Sequence, residues 1–390
     1  MTDAGPPLGV YVHWPYCARI CPYCDFNVVR DRGRSGEQAG LVDAIITDLE
    51  THRALTGPRP LASIFFGGGT PSLMTADHVS RVVGAARALW DADAALEVTL
   101  EANPTDAETG RFADFAGAGV NRLSLGVQAL DDGALAFLGR NHSAREAVAA
   151  ARAAAAVFSR WSLDLIYARP GQGVAAWSDE LAAAVALGPE HVSPYQLTIE
   201  TGTAFDRAVG RGRWTPPDEE LGAGLYQATQ EVLSRHGYDA YEVSNHARGE
   251  AARSRHNLIC WRGQDYVGVG PGAHGRLTLN GRRIATQAHR RIGDYVRQAA
   301  ETGSGWASRD TLSPVEAAEE RLLMGLRTSE GVDLAELTAI GVAAESPAVA
   351  DMSQAGMVRV EAGRITATSA GRLLLDRITA ELASAGTPRG

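Results

Sequence analysis

The stretch Val10-Tyr-Val-His-Trp-Pro-Tyr-Cys17-Ala-Arg-Ile-Cys21-Pro-Tyr-Cys24-Asp-Phe26 joins a short β-rich run directly to three cysteines. The Cys-x3-Cys-x2-Cys spacing places the thiols in the loop at the C-terminal end of the first strand. Three thiolates this close can wrap three corners of an iron–sulfur cubane and leave the fourth iron without a protein ligand. An open metal position is what cofactor or substrate chemistry needs, whereas a structural site is closed. Tyr16, Tyr23 and Phe26 are expected to wall the thiolates off from solvent and tune their potential. Two other readings stay open. One is structural zinc with His13 as fourth ligand, although zinc sites usually bring two spaced ligand pairs and no second pair lies nearby. The other is three unconnected buried cysteines, against which the tight spacing argues.

Outward from this loop, strand-like runs alternate with helical ones. Strands are expected at Val10–His13, Ser63–Phe66, Leu96–Leu100, Arg122–Val127, Ser162–Tyr167 and His191–Leu197. Helices are expected at Glu37–Leu55, Ala76–Leu89, Ala107–Ala118, Ala144–Phe158 and Ala175–Ala186. The alternation predicts βαβ units around a parallel sheet, and six of them suggest a full or partial barrel with its site at the strands' C-terminal ends. A helix near Glu219–His236, a strand at Ala240–Val243 and a hairpin turning at Asn280-Gly281 follow. Near Gly303–Ser308 the pattern changes. Ser313 with Glu316 forms a capping-box pattern, and strands at Val358–Val360 and Ile365–Thr368 flank an Ala362-Gly363 turn before a last helix. This tail resembles a winged helix. It carries more acidic residues than arginines from Arg309 onward, so it reads as a packing or lid domain. The expected division is a core over 1–235, a connecting segment over 236–302 and a C-terminal domain over 303–390.

The chain has 390 residues and a net charge of −9, which argues against a general nucleic-acid binder. Every positive charge is arginine. Without lysine, neither a P-loop nor a Schiff-base enzyme is possible. The longest apolar runs are too short or too broken to span a bilayer, and the start lacks the pattern of a secretory signal. A cytoplasmic protein is expected, with clustered cysteines that bind metal rather than each other.

The cysteine stretch resembles the signature of the radical S-adenosylmethionine (SAM) superfamily. More narrowly, it is similar to the HemW heme chaperones and their relatives, the oxygen-independent coproporphyrinogen III oxidases. Further motifs in order carry the likeness along nearly the whole chain: Phe66-Gly-Gly-Gly-Thr-Pro-Ser72, Glu101-Ala-Asn-Pro104, Arg122-Leu-Ser-Leu-Gly-Val-Gln128, Leu138-Gly-Arg-Asn-His142, Asp164-Leu-Ile-Tyr167 and Tyr241-Glu-Val-Ser244. The resemblance implies an α/β fold: a partial (β/α)6-type radical SAM barrel with a smaller C-terminal α+β, winged-helix-like domain. It implies a 4Fe–4S cluster on Cys17, Cys21 and Cys24, with SAM on the open iron. Tyr11, Tyr23, Gly68, Gly69, Thr70, Glu101, Gln128, Arg140 and Asp164 are the SAM-binding positions it implies. Glycines at 67–69 let backbone groups approach a ligand, and carboxylate, amide and arginine at strand ends suit ribose hydroxyls and a carboxylate. Taken singly, each of these charges reads more readily as a solvated loop residue; together with the matching family positions the ligand role is favoured. Gly268-Val-Gly270-Pro-Gly272 fits a dinucleotide fingerprint in letters alone, because a hairpin pattern rather than a helix follows it.

Two functions remain. One is a radical enzyme acting on a porphyrinogen. The other is a heme carrier serving client proteins, membrane respiratory enzymes among them, as a monomer or a homodimer. The carrier is favoured by three features. Phe26 stands where the oxidases have a further cysteine. The cluster strand begins near Val10, without the oxidases' N-terminal extension. Arg255-His256-Asn257-Leu-Ile-Cys260-Trp261 resembles the chaperones' His-Asn-x-x-Tyr-Trp heme motif. His256 offers an imidazole to heme iron and Trp261 a flat apolar face, with Asn257 between them. Cys260 replaces the family tyrosine, and Ala168-Arg169 replaces the usual Gly-Leu.

Overall fold

A computed structural model of the chain describes residues 5–92 and 94–385; the outermost ends of the expected division, 1–4 and 386–390, lie outside the described residues. In chain order its strands are β1 (Leu8–Trp14), the two-residue β2 (Tyr16–Cys17) and β3 (Val29–Arg30), β4 (Leu61–Gly68), β5 (Glu97–Ala102), β6 (Arg122–Gln128), β7 (Arg160–Tyr167) and β8 (His191–Gln196). Then follow β9 (Asp239–Glu242), β10 (Asn245–Ala247), β11 (Tyr266–Val269), β12 (His274–Leu279), β13 (Arg282–Ala288) and β14 (Trp306–Thr311), and in the tail β15 (Val332–Asp333), β16 (Val358–Glu361) and β17 (Arg364–Ala367).

The six expected strands form the parallel run β1-β4-β5-β6-β7-β8 in one twelve-stranded sheet. The sheet is α/β and mostly parallel at its centre, and it stays open: its edges are β14 and β9. β11 was not evident in the sequence. It sits in the glycine-rich run and pairs in parallel with the other side of β1.

Period-two alternation sorts the side chains of the parallel strands. Val10, Val12, Ile64, Phe66, Val98, Leu100, Leu123, Leu125, Leu163 and Leu165 are fully buried in the main apolar core. The intervening positions, among them Tyr11, Phe65, Glu101, Ser124, Asp164 and Ser193, line an internal cavity. In a closed (β/α)8 barrel, branched apolar side chains fill that interior. Here it is polar, which leaves room for a ligand.

The helix Ala76–Leu89 forms with the expected bounds, capped by Thr75. The helix expected over Ala107–Ala118 is broken into Asp106–Thr109 and Phe112–Gly117, with Gly110 at the break. Arg111 there turns its guanidinium to the carbonyls of Ser72 (2.9 Å) and Met74. The Asn280-Gly281 turn has both residues at positive φ, 52° and 73°, as a tight hairpin requires.

The smaller C-terminal domain has its own apolar core, built from Leu322, Leu326, Leu337, Val349, Ile365 and Leu382 among others. Helix Pro314–Gly325, β15, a 3-10 turn, helix Pro347–Gln354 and the β16–β17 hairpin follow in winged-helix order. The Ser313–Glu316 capping box forms. The pattern change near Gly303–Ser308 coincides with β14, which adds to the edge of the main sheet through β13.

Candidate functional site

The cysteine loop leaves β1 and is closed by backbone bonds from Val29 N–H to the Pro15 carbonyl and from Asp31 N–H to the Cys17 carbonyl, both 2.8 Å. Asn27 fastens it from outside, donating to the carbonyls of Pro271 (2.8 Å) and Arg290 (2.9 Å). All three thiols face one cavity of about 340 Å³. Burial pushes the Cys17 thiol up to about 11, with Cys24 and Cys21 adding to it against a hydrogen bond from Thr70, and burial also raises Cys24. Thiols held this way ionise readily only against a metal's positive charge.

The zinc reading is not supported. His13 Nε2 donates to the Asn27 carbonyl at 2.9 Å, and the Tyr11 hydroxyl donates to its Nδ1 at 3.0 Å, so both nitrogens are engaged. Among the described residues, no three Cys, His, Asp or Glu converge on a single ion position. Three thiols around one cavity, with no fourth ligand, fit the corners of a cluster. The expected aromatic wall is differently built. Tyr16 packs on Trp14 and donates to Glu37 at 2.7 Å, outside the cavity lining, and Phe26 is 62% exposed. Tyr23 and the exposed Phe26 do line the cavity, together with Ile20, Ile166 and Leu197.

The same cavity collects Gly68, Gly69, Thr70, Glu101, Gln128, Arg140 and Asp164. Gly69 N–H donates to the Trp14 carbonyl (2.7 Å) and Thr70 N–H to the Tyr16 carbonyl (2.8 Å). A Cβ on Gly69 would lie 2.7 Å from the Tyr16 carbonyl oxygen. Gly69 and Thr70 therefore clamp the cysteine loop onto β4, and their amides are spent on it. Arg140 donates to Cys21 Sγ (3.6 Å), the Gly126 carbonyl (2.9 Å) and Asn103 Oδ1. Asn103 also donates to Thr70 Oγ1 at 3.2 Å. Asn103 was missed as a site residue, although it lies inside the quoted Glu101–Pro104 motif. Ser124, missed likewise, donates to Asp164 Oδ2 at 2.8 Å.

Unmet bonds mark where a ligand fits. Gln128 Oε1, Asp164 Oδ1 and Arg140 Nε are buried without partners. Gln128 also adopts a left-handed φ of 67° at the strand end, a strained conformation that turns its amide toward the cavity. Burial raises Glu101 to about 8, Asp164 adding and a backbone bond from Gly68 opposing, and burial raises Asp164 too. Acceptors, amide and arginine of this kind suit the hydroxyls, amine and carboxylate of SAM.

A second cavity, of about 680 Å³, lies in the lumen and shares Phe26, Gly68, Glu101, Ser124, Asp164 and Tyr195 with the first. Tyr11 belongs here rather than to the cluster cavity. So do His256, Asn257, Cys260 and Trp261. They lie on the helix Arg255–Trp261, which packs against β1 and β4 under a Ser254 cap. His256 stacks on Phe65 with ring centres 4.8 Å apart, and its Nδ1 is 3.3 Å from Ser63 Oγ. Burial lowers it to about 4, Glu97 opposing and Arg122 reinforcing, so the imidazole is neutral. Among the described residues its Nε2 meets only Cys260 Sγ, at 3.9 Å, and burial pushes that thiol up to about 12. Asn257 donates to Asn245 Oδ1 at 3.3 Å, and Arg327 from the C-terminal domain lies over the Trp261 ring at 5.0 Å.

Residues 11–181 match the profile of the radical SAM superfamily, and residues 312–374 that of the HemN C-terminal domain. Over 280 residues the chain is 38% identical to the heme chaperone HemW of Escherichia coli, covering 72% of each protein. The chain belongs to the HemW-type radical SAM family. It is also 34% identical to the HemW of Mycobacterium tuberculosis, over 97% of this chain and 95% of that protein. The mitochondrial radical S-adenosyl methionine domain-containing protein 1 of Bos taurus is 43% identical over 83% of this chain and 74% of its own. The fold matches the solved coproporphyrinogen III oxidase HemN of Escherichia coli with a TM-score of 0.80, at 22% identity over 98% and 91% of the two chains. No helix among the described residues of this HemW-type chain is long and apolar enough to cross a membrane.

Proposed function

We propose that this HemW-type protein binds heme in its lumen and passes it to client proteins, respiratory enzymes at membranes among them. It carries a 4Fe–4S cluster on Cys17, Cys21 and Cys24, with SAM beside it. The observation that carries this reading is the 34% identity, across 97% of the chain, to a relative named as a heme chaperone. When bound, the cluster gives SAM an open iron and can supply one electron to it. Arg140 and Asn103 hold the cavity wall against Cys21, and Gln128, Glu101 and Asp164 offer acceptors to SAM. The neutral imidazole of His256 is in the protonation state that ligates iron, and its 3.9 Å contact with Cys260 is weak enough to yield. In this reading residues 1–235 carry cluster and SAM, 236–302 bring the heme motif, and 303–390 close the lumen through Arg327. Cysteines that serve as cluster ligands suit a reducing compartment such as the cytoplasm.

Heme titration of the reconstituted protein, followed by visible absorbance, tests the proposal. A saturable heme band is expected, lost or shifted in His256→Ala. No band in the wild type would remove the carrier reading, and conversion of a porphyrinogen with SAM and reductant would replace it with oxidase chemistry.

A further inference from the structure

Some charges in and beside the lumen are paired. Arg160 bonds Glu97 at 2.9 Å and Glu190 at 3.3 Å, and Arg327 bonds Glu242 at 2.7 Å. Arg122, the first residue of β6, is different. Its side chain lines the lumen cavity and the residue is only 2% exposed. Among the described residues no carboxylate oxygen lies within 4.0 Å of its guanidinium, and its Nε has no hydrogen-bond partner. Glu97, Glu190 and Asp164 lie farther away; Arg160 holds the first two, and Ser124 donates to Asp164. Asp164 and Glu190 act on it only from beyond contact; a buried guanidinium with no carboxylate in contact is costly to fold around, so its place in a cavity wall points to an anion arriving with a ligand.

His191 supplies a second donor. Tyr241 oxygen accepts from Ser254 N–H at 3.3 Å, and among the described residues His191 Nε2, at 2.8 Å, is the acceptor within reach of its O–H. That places the imidazole proton on Nδ1, which lines the same cavity without a partner.

We propose that Arg122, assisted by His191, anchors a carboxylate of the lumen ligand at the floor of the cavity, a propionate where that ligand is heme. The inference rests on the heme reading and adds to it a residue that selects acidic macrocycles. A guanidinium fork matches a carboxylate with two parallel hydrogen bonds, which a neutral ester cannot return.

The test compares hemin, its dimethyl ester and metal-free protoporphyrin, titrated into the full-length protein. The wild type should bind both free acids about tenfold to a hundredfold more tightly than the ester. Arg122→Gln should lose that preference while binding the ester as before, and Arg122→Lys should restore part of it. Equal binding of hemin and its ester by the wild type would overturn the inference and leave the heme reading intact. No binding of hemin or protoporphyrin would overturn both. The wild-type comparison decides the matter even where a variant fails to fold.

Discussion

Ala168 adopts φ 60° immediately after β7. A Cβ in the left-handed region is strained by about 1–2 kcal/mol, partly offset by the entropy that glycine adds to the unfolded chain. Ala168→Gly is therefore expected to raise stability by up to ~1 kcal/mol, read as a higher denaturation midpoint at unchanged slope. Glu101 makes a pH-dependent contribution. Its carboxyl is raised from 4.5 to about 8 in the fold, so the native state holds the proton more tightly than the unfolded chain. The stability this contributes is complete below about 4.5 and is lost as pH rises through 8. Ligand-free wild type should lose melting temperature from pH 5 to pH 8 more steeply than Glu101→Gln; parallel curves would contradict the assignment. At this scale the sequence was most legible where chemistry dictates residue type. The thiols, Gln128, Arg140 and Asp164 share one cavity, whereas Tyr11 turned out to line the lumen. The distinction was invisible because Tyr11 lies on the strand that leads directly into the cysteine loop.

Among the elements, parallel strands and long amphipathic helices could be read from periodicity. Those shaped by tertiary contacts could not. β11 hides in Tyr266–Val269, where glycine is needed for close approach and weakens the strand pattern; a Cβ on Gly268 would collide with the His274 carbonyl. The helix Arg255–Trp261 is too short to stand alone and exists because it packs beneath the sheet interior. Ser254, fully buried, caps it by accepting from Asn257 N–H at 3.3 Å. Ser254→Ala is expected to cost about 1 kcal/mol in equilibrium unfolding and to weaken heme binding, because the same helix orients His256. Unchanged heme affinity in a folded Ser254→Ala protein would separate the helix from the binding function.

For the whole molecule, an open, mostly parallel sheet places a thiol-lined cavity at the strands' C-terminal ends above a polar lumen. The alternation of apolar and polar residues along β6 and β7 already carried that message. A parallel strand covered on both faces reads as continuously apolar, whereas Leu123-Ser-Leu125 and Leu163-Asp-Leu165 have one polar wall. What the sequence left hidden was which polar groups meet across the lumen, since Arg122, His191 and His256 come from distant segments. All of this depends on the cysteine loop holding a cluster with an open iron. Anaerobic iron, sulfide and zinc analysis of the purified protein, with electron paramagnetic resonance of the reduced sample, tests that most directly. The account predicts about four irons and four sulfides per chain, a signal that shifts when SAM is added, and loss of both in Cys17→Ala, Cys21→Ala or Cys24→Ala. Stoichiometric zinc without sulfide, or a cluster signal indifferent to SAM, would contradict it.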